Sequence, residues 1–137
     1  VTALVEKDGA VLLVDDGRGG VSLPMVEVGE LGMQAALTSL LADHGCAAEI
    51  GAVFSVYEDL QTKQQILAVR CPAQSKTATR GAFVPLTQTA LADLNDAAQQ
   101  SMLDRFMRET QDGNFGVYFG DHRKGRVSQS AAKEAVT

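Results

Sequence analysis

The amino-acid sequence predicts an α/β (α+β) fold in which a mixed β-sheet is sandwiched between helices. Two apolar runs within residues 4–14 meet at Asp8-Gly9, a pair typical of tight hairpin turns. From Leu31 onward the apolar residues change to the three- and four-residue spacing of a helix. Along the chain the patterns follow the order hairpin, loop, strand, helix, hairpin, strand, helix, which favours layers of sheet and helix.

The first half of the chain leads through a loop and a short strand into the first helix. Residues 15–20 are rich in Gly and Asp, which is typical of a flexible surface loop. Residues 21–23 can form a short strand that stops at Pro24. In the helix that follows, apolar residues recur on one face, namely Met33, Ala36, Leu37, Leu40 and Leu41. Gly45 supplies the left-handed conformation at which such helices commonly end.

The second half predicts another hairpin, one more strand and a longer helix. Residues 48–57 and 65–71 are rich in β-branched and apolar residues and flank the polar segment 58–63. They therefore predict a second hairpin with a long turn. Residues 81–85 predict a short strand, and helical spacing then resumes with Asp96 as the N-cap of the longer helix.

The C-terminal part returns to strand character at residues 115–119, and residues 121–125 predict a turn before Arg126. Residues 128–137 lack an apolar face and predict a frayed tail. Because no internal repeat or dividing linker is recognisable, residues 1–127 are predicted to form a single domain.

Composition and charge disfavour several classes of function. The net charge of −5, the 5% aromatic content and the absence of Trp argue against a nucleic-acid binder. No apolar run approaches the roughly 20 residues that cross a bilayer, and no leader opens the sequence. Cys46 and Cys71 are too few for a disulfide framework, so reduced thiols are expected. We expect a cytoplasmic protein with a small-molecule or protein partner and with neither nucleic acid nor membrane as its target.

The first residue is Val and not Met, so a trimmed terminus or a domain cut from a longer protein is expected. A homodimer and a fusion to a preceding domain both remain open.

Residues 23–45 resemble the Nudix box. Leu23-Pro24 is followed by a Val-Glu-x-Gly-Glu run that ends at Glu30, and then by a helix that ends at Gly45. In the Nudix family the box reads Gly, five residues, Glu, seven residues, then Arg-Glu-aliphatic-x-Glu-Glu-x-Gly-aliphatic. The resemblance implies the Nudix fold and hydrolysis of a pyrophosphate by water, with Mg²⁺ or Mn²⁺ held by helix carboxylates.

Most of the box chemistry is missing in this register. Counted from Glu30 as the first Glu, the Arg position falls on Thr38 and the next Glu on Ser39. The paired Glu positions fall on Ala42 and Asp43. The resemblance leaves Asp43 and, less directly, Glu30 as metal-ligand candidates, and a lone carboxylate would hold Mg²⁺ weakly.

The loop before the helix also departs from the family. A Gly pair usually follows Leu-Pro, whereas Met25 follows Pro24 directly here and the loop is about two residues shorter. Such glycines let the backbone approach a phosphate closely, so this loop is expected to be a poorer phosphate cradle.

Four carboxylates are candidates for a site around the box. Glu27 and Glu30 are candidate ligand-binding residues, although acidic residues are favourable near a helix start through the helix dipole alone. Ordinary solvated charge is the simpler interpretation of Glu27, Glu30 and Asp43, because most acidic residues are exposed. Glu58 is a candidate base if the fold places it opposite Asp43.

The C-terminal part contains a cationic cluster and a second resemblance. The cationic cluster consists of Arg123, Lys124 and Arg126 and could bind an anionic ligand or the acidic face of a partner. Arg105 and Arg108 of the long helix could join it. Charge runs of this kind are also common at solvated strand edges. Residues 115–127 are similar to the end of the Nudix-like extensions carried by some flavin reductases of two-component monooxygenases.

Two functions follow from these resemblances. In the first, the domain has lost pyrophosphohydrolase activity and serves as a ligand-sensing or partner-docking module. A flavin-reductase system is one context in which such a module could act. In the second, it is a divalent-metal-dependent hydrolase of a nucleoside diphosphate derivative with an atypical metal set of Glu27, Glu30, Asp43 and Glu58. No cofactor is assigned in the first case, and Mg²⁺ or Mn²⁺ is implied in the second.

Overall fold

The computed structural model describes residues 1–60, 62–87, 91–94, 96–112, 118–123 and 126–131. Within these residues eight strands form one sheet, and two longer helices accompany it. The strands are β1 (Thr2–Lys7), β2 (Ala10–Asp15), β3 (Val21–Ser22), β4 (Val53–Asp59), β5 (Gln64–Pro72), β6 (Ala82–Pro85), β7 (Tyr118–Arg123) and β8 (Arg126–Ala131). The helices are α1 (Met33–Asp43) and α2 (Ala97–Asp112). In the part of the chain that the structure describes, none of the helices combines the length and the apolar composition of a bilayer-spanning segment.

The sheet is mixed, as the sequence predicts. Its strand order is β3-β2-β1-β5-β4-β7-β8, and β6 pairs with β2 off this path. The β1–β5 and β4–β7 pairs are parallel. The β1–β2, β2–β3, β2–β6, β4–β5 and β7–β8 pairs are antiparallel.

The predicted first hairpin is confirmed. Asp8 and Gly9 have positive φ angles of 51° and 78°, which suit a tight two-residue turn. Glu6 pairs with Val11 across the two strands, and the Glu6 carboxylate accepts a hydrogen bond from the Gly9 N–H at 2.9 Å. The turn sequence thus sets the register of β1 and β2.

The two helices lie over opposite faces of the sheet. On the α1 side the buried residues are Val1, Ala3, Val5, Leu12, Leu37, Leu40, Leu41, Val69, Cys71 and Ala73. On the α2 side they are Leu4, Val11, Leu13, Leu23, Phe54, Ala68, Leu91, Leu94, Met102, Leu103 and Phe106. Neighbouring β1 residues alternate between the two clusters because successive strand side chains point to opposite faces. The predicted sandwich is therefore confirmed.

The end of α1 shows how Gly45 stops the helix. Gly45 has a φ of 64°, and its N–H donates to the Ala42 carbonyl oxygen at 3.0 Å. The Cys46 N–H donates to the Leu41 carbonyl oxygen at 2.9 Å, which completes a Schellman motif. His44 caps the helix, and its Nδ1 donates to the Leu40 carbonyl oxygen at 2.9 Å.

The start of α2 confirms the predicted N-cap. Asp96 Oδ1 accepts hydrogen bonds from the Ala98 N–H at 2.8 Å and the Gln99 N–H at 3.3 Å. Two of the free N–H groups of the first turn are satisfied in this way.

The second hairpin differs from the prediction at both ends of its first strand. The strand begins at Val53, and residues 48–52 run beside β5 with irregular pairing, including a hydrogen bond from the Gly51 N–H to the Arg70 carbonyl oxygen at 2.8 Å. At its other end β4 extends through Asp59, so the turn is shorter than the predicted segment 58–63. A β-bulge between Val53 and Ser55 separates the irregular and regular parts.

The C-terminal hairpin corrects three boundaries. β7 runs from Tyr118 to Arg123, so the predicted turn at 121–125 begins too early, and residues 115–117 lie outside the described part. β8 runs from Arg126 to Ala131, so residues 128–131 form a strand and not a frayed tail. Backbone pairing with β7 orders this segment without an apolar face of its own. The predicted domain end at 127 falls within β8, and residues 132–137 lie outside the described part.

Candidate functional site

Backbone N–H groups of the box loop, residues 23–32, form hydrogen bonds within the protein. The Leu23 N–H donates to Gln99 Oε1 at 2.9 Å, and the Val26 N–H donates to the Val1 carbonyl oxygen at 3.0 Å. An anion-binding loop needs free N–H groups that point at the ligand. These two N–H groups are already occupied, so they do not contribute to a phosphate cradle.

Gln99 connects the box loop to α2. Its side chain is buried, and besides accepting from Leu23 it lies with Nε2 at 3.7 Å from Met25 Sδ. Met25 also forms an isolated antiparallel bridge with Thr2. No local sequence pattern indicates this contact, because Leu23 and Gln99 lie 76 positions apart.

The side chains at the box positions on α1 include few groups that could bind a metal or a phosphate. Thr38, Ser39, Ala42 and Asp43 are all exposed. The Thr38 hydroxyl donates to the Gln34 carbonyl oxygen at 2.9 Å, within the same helix. The face that carries metal-binding carboxylates in the family pattern therefore presents one carboxylate here, that of Asp43.

The predicted acidic residues do not form a cluster of metal ligands among the described residues. Glu27, Glu30, Asp43 and Glu58 are all exposed. Among the residues that the structure describes, no group of three or more His, Cys, Asp or Glu side chains could hold a metal ion. Mg²⁺ and Mn²⁺ need several converging oxygen ligands. The ligand-binding and metal-binding roles of Glu27, Glu30 and Asp43 remain predictions.

Glu58 lies on the side of the sheet that α1 covers. Its neighbour Tyr57 lines a cavity on the α2 side together with Met102, and successive strand residues point to opposite faces. In register, Glu58 pairs with Gln65 of β5 and Asp121 of β7. Its role as a base remains a prediction.

Arg123 and Arg126 face each other in the register of the β7–β8 hairpin. The backbone thus brings the two predicted ligand-binding residues together, and their binding role remains a prediction.

Arg105 does not belong to a surface cationic cluster, which corrects the sequence-based prediction. It is 7% exposed, and its Nη2 donates to the Phe54 carbonyl oxygen at 2.9 Å and to Ser55 Oγ at 3.1 Å. Its Nε lies 3.5 Å from a carboxylate oxygen of Glu109. The i,i+4 spacing of this pair in the helix was the signal that could have indicated it. Arg108 is exposed and forms an ion pair with Asp104, one turn earlier on the surface of α2.

The two thiols are free and weakly acidic. Burial raises the pKa of Cys71 to about 11, and burial also raises the pKa of the half-buried Cys46. Because the thiolate is the reactive form, neither side chain is poised as a nucleophile.

The enclosed cavity on the α2 side is too small for a nucleotide. Its volume is about 20 Å³, enough for one water molecule, and its lining includes Thr2, Ser55, Tyr57, Gln99 and Met102. A wider, open depression of about 370 Å³ lies beside Gly19, Gly20 and Gly81.

Comparison with known proteins gives two kinds of relative, while no family model matches the chain. The reductase component of a flavin-dependent trigonelline monooxygenase from Acinetobacter baylyi is 34% identical over 134 residues, covering 98% of this chain and 43% of that protein. A probable flavin reductase from Rhizobium meliloti is 33% identical over 135 residues, covering 97% of this chain and 42% of that protein. The chain spans about two-fifths of the length of these relatives.

Solved structures give the fold. A Nudix hydrolase from Nitrosomonas europaea superposes with a TM-score of 0.70 at 19% identity, covering 88% of this chain and 77% of that chain. A structure described as an oxidoreductase from Sinorhizobium meliloti has a TM-score of 0.68 at 30% identity, covering 84% of this chain and 40% of that chain. The chain has the Nudix fold, and its sequence relatives are flavin reductases.

Proposed function

We propose that this chain is the Nudix-fold part of a flavin reductase that serves a two-component monooxygenase, and that it senses a ligand or docks a partner without hydrolysing pyrophosphates. The observation that carries the proposal is the match of two flavin reductases to 97–98% of the chain. In those proteins the matched region is less than half of the length, which leaves a larger part to carry the reductase chemistry.

The charges around the box support a domain without hydrolase activity. Residues 19–62 contain six acidic residues and no Lys or Arg. Hydrolysis of a pyrophosphate needs cations that offset the charge on the phosphate oxygens. Ser39 and Ala42 occupy two carboxylate positions, so the helix offers few side chains that can bind a metal. The acidic residues around it would also repel a pyrophosphate that carries no bound cation.

The shortened loop supports the same conclusion from the backbone. The N–H groups of Leu23 and Val26 donate within the fold, and Pro24 between them has no N–H to donate. A phosphate would have to displace these bonds before it could be bound by this half of the loop.

The first test is a titration with Mg²⁺ or Mn²⁺ at millimolar concentrations while the melting temperature is followed. A cation at ten times its Kd would stabilise the native state by about 1.4 kcal/mol, so binding would be visible as a shift. We expect no shift and no phosphate release from a panel of nucleoside diphosphate derivatives. A shift together with phosphate release would favour the alternative hydrolase, with Glu27, Glu30, Asp43 and Glu58 as its ligand set.

The second test concerns the reductase. The polypeptide expressed at the full length of its gene should oxidise NADH or NADPH when FMN or FAD is added, and residues 1–137 alone should not. A full-length product without flavin reduction would contradict the proposed setting.

A further inference from the structure

The box loop exposes an unusual amount of apolar side chain. Met25 and Val28 are each 49% exposed and Leu31 is 88% exposed, whereas Leu60 is the other exposed large apolar residue among those described. Six peptide links separate Met25 from Leu31, so their Cα atoms lie within about 21 Å of each other. Concentrated apolar exposure of this kind marks interaction surfaces more often than solvated ones.

The outward face of α1 continues this surface with almost no charge. At helical spacing from Leu31, the residues Ala35, Thr38 and Ala42 point away from the buried leucines. Asp43 is the single charged residue among the eleven of α1, while α2 has five among sixteen. A helix that contacts only water normally has more charge on its outer face.

The box loop is hydrogen-bonded to the rest of the fold at its first residues, and it forms a local turn just before α1. Gln99 and Val1 bind the backbone at Leu23 and Val26, and the Gly32 N–H donates to the Gly29 carbonyl oxygen at 3.1 Å just before the helix. A surface that is already ordered loses less conformational entropy when a partner binds.

The charge at its edges selects the kind of partner. Glu27, Glu30 and Asp43 are exposed beside the apolar side chains, and the nearest cations in the sequence are Arg18 and Lys63. A second copy of this chain would bring like charges together, and a phosphate ligand would be repelled. A protein surface with an apolar centre and a rim of Lys or Arg is complementary.

We propose that the box-loop surface, defined as residues 25–31 with the outward face of α1, docks against the flavin-reductase part of the protein through an apolar patch rimmed by Lys or Arg. The proposal rests on the proposed function. Its occupant is suggested by the relatives, in which a region like this chain is accompanied by more than half of the protein's length.

The test is hydrogen exchange followed by mass spectrometry on the full-length product of the gene, with residues 1–137 alone as the undocked reference. We expect amides in residues 27–35 to exchange at least about tenfold more slowly in the full-length protein. Leu31→Lys in the full-length protein should return this segment to the rate of residues 1–137. Leu60→Lys is the matched control, since Leu60 is exposed on the β4–β5 turn, and it should leave the protection intact.

The outcomes separate the two proposals. Equal exchange in the two proteins, with flavin reduction present, overturns the docking surface and leaves the proposed function standing. Absence of flavin reduction by the full-length protein overturns the proposed function and the docking proposal with it. Protection that grows with the concentration of residues 1–137 alone indicates a second copy as occupant and overturns the reductase as partner.

Discussion

Arg105 of α2 binds the backbone of Phe54 in β4, with Nη2 at 2.9 Å from the carbonyl oxygen and the guanidinium 3.7 Å from the centre of the Phe54 ring. Phe54 lies at the β-bulge between Val53 and Ser55, where the regular ladder is interrupted. The guanidinium therefore satisfies a carbonyl that the bulge takes out of the β4–β5 ladder, and it attaches α2 to the sheet.

Replacing Arg105 should be among the most destabilising single changes in the α2 layer. Arg105→Met leaves the Glu109 carboxylate buried without its cation, which costs about 3–5 kcal/mol. The double variant Arg105→Met/Glu109→Leu should lose less stability than Arg105→Met, because no buried charge remains. Urea unfolding measures both, and Arg108→Ala, at an exposed ion pair, is the control expected to change stability by less than about 0.5 kcal/mol. An Arg105→Met variant as stable as Arg108→Ala would contradict this role.

Gly45→Ala should destabilise α1 through two effects. The residue has a φ of 64°, and an added Cβ would lie 2.6 Å from the Thr79 side chain. Gly17→Ala is the matched control, since its φ is 78° but nothing lies within 4 Å of the added Cβ. The left-handed backbone conformation alone costs a residue with a Cβ about 1–2 kcal/mol. Gly45→Ala should therefore lower the free energy of unfolding, measured in urea, clearly more than Gly17→Ala. Equal losses would show that Thr79 moves away at no cost.

Gln99→Ala should loosen the box loop. The Leu23 N–H loses its buried acceptor, which costs about 1–3 kcal/mol. Hydrogen exchange at residues 23–26 should accelerate in the same variant. Gln34→Ala, at an exposed position of α1, serves as the control with unchanged exchange. Unaltered exchange in Gln99→Ala would mean that the bridge from Thr2 is sufficient to hold the loop.

The two thiols should differ in reactivity and in their effect on stability at high pH. Cys46 is half-buried and Cys71 is buried, so a thiol reagent at neutral pH should modify Cys46 first and Cys71 only on unfolding. The pKa of Cys71 rises from its ordinary value of 9.0 to about 11 in the native state. Its stabilising contribution is therefore complete below pH 9 and is lost as the pH rises toward 11, because the unfolded state releases the proton first. Cys71→Ala should show a flatter stability profile over that range, and an identical profile would contradict the assignment.

Restoring the box carboxylates should create cation binding. The variant Thr38→Arg/Ser39→Glu/Ala42→Glu changes three exposed positions, so the fold should be retained. Its melting temperature should rise with Mn²⁺, whereas Thr38→Arg/Ser39→Gln/Ala42→Gln, which lacks the carboxylates, should not respond. A folded triple variant that binds no cation would show that the helix register, or the loop beside it, is wrongly assigned.

The sequence predicts those parts of the fold that short-range chemistry determines. Asp8-Gly9 and Gly45 have the positive φ angles that their turn and helix end require, and Asp96 caps α2. Each of these features depends on neighbours within a few positions, so a local pattern is sufficient to recognise it.

Features that depend on distant partners could not be read from the pattern. Arg105 is counted as a surface cation in the sequence because its acceptor on Phe54 is 51 positions away. β8 has no apolar face, and it is ordered by backbone pairing with β7. For the candidate site, the missing carboxylates follow from the box register, but the occupied N–H groups of the loop become visible only in the structure.

Because of the hydrogen bonds at Leu23 and Val26, the box loop would be harder to restore to the family pattern than the box helix. Carboxylates on α1 could return one codon at a time, each at an exposed position that tolerates the change. The loop could not return in this way, since a new glycine pair would need inserted residues and would separate the backbone from Gln99 and β1. If the domain lacks hydrolase activity, as we propose, substitution and insertion would both be required in one lineage before hydrolysis offered any selective advantage.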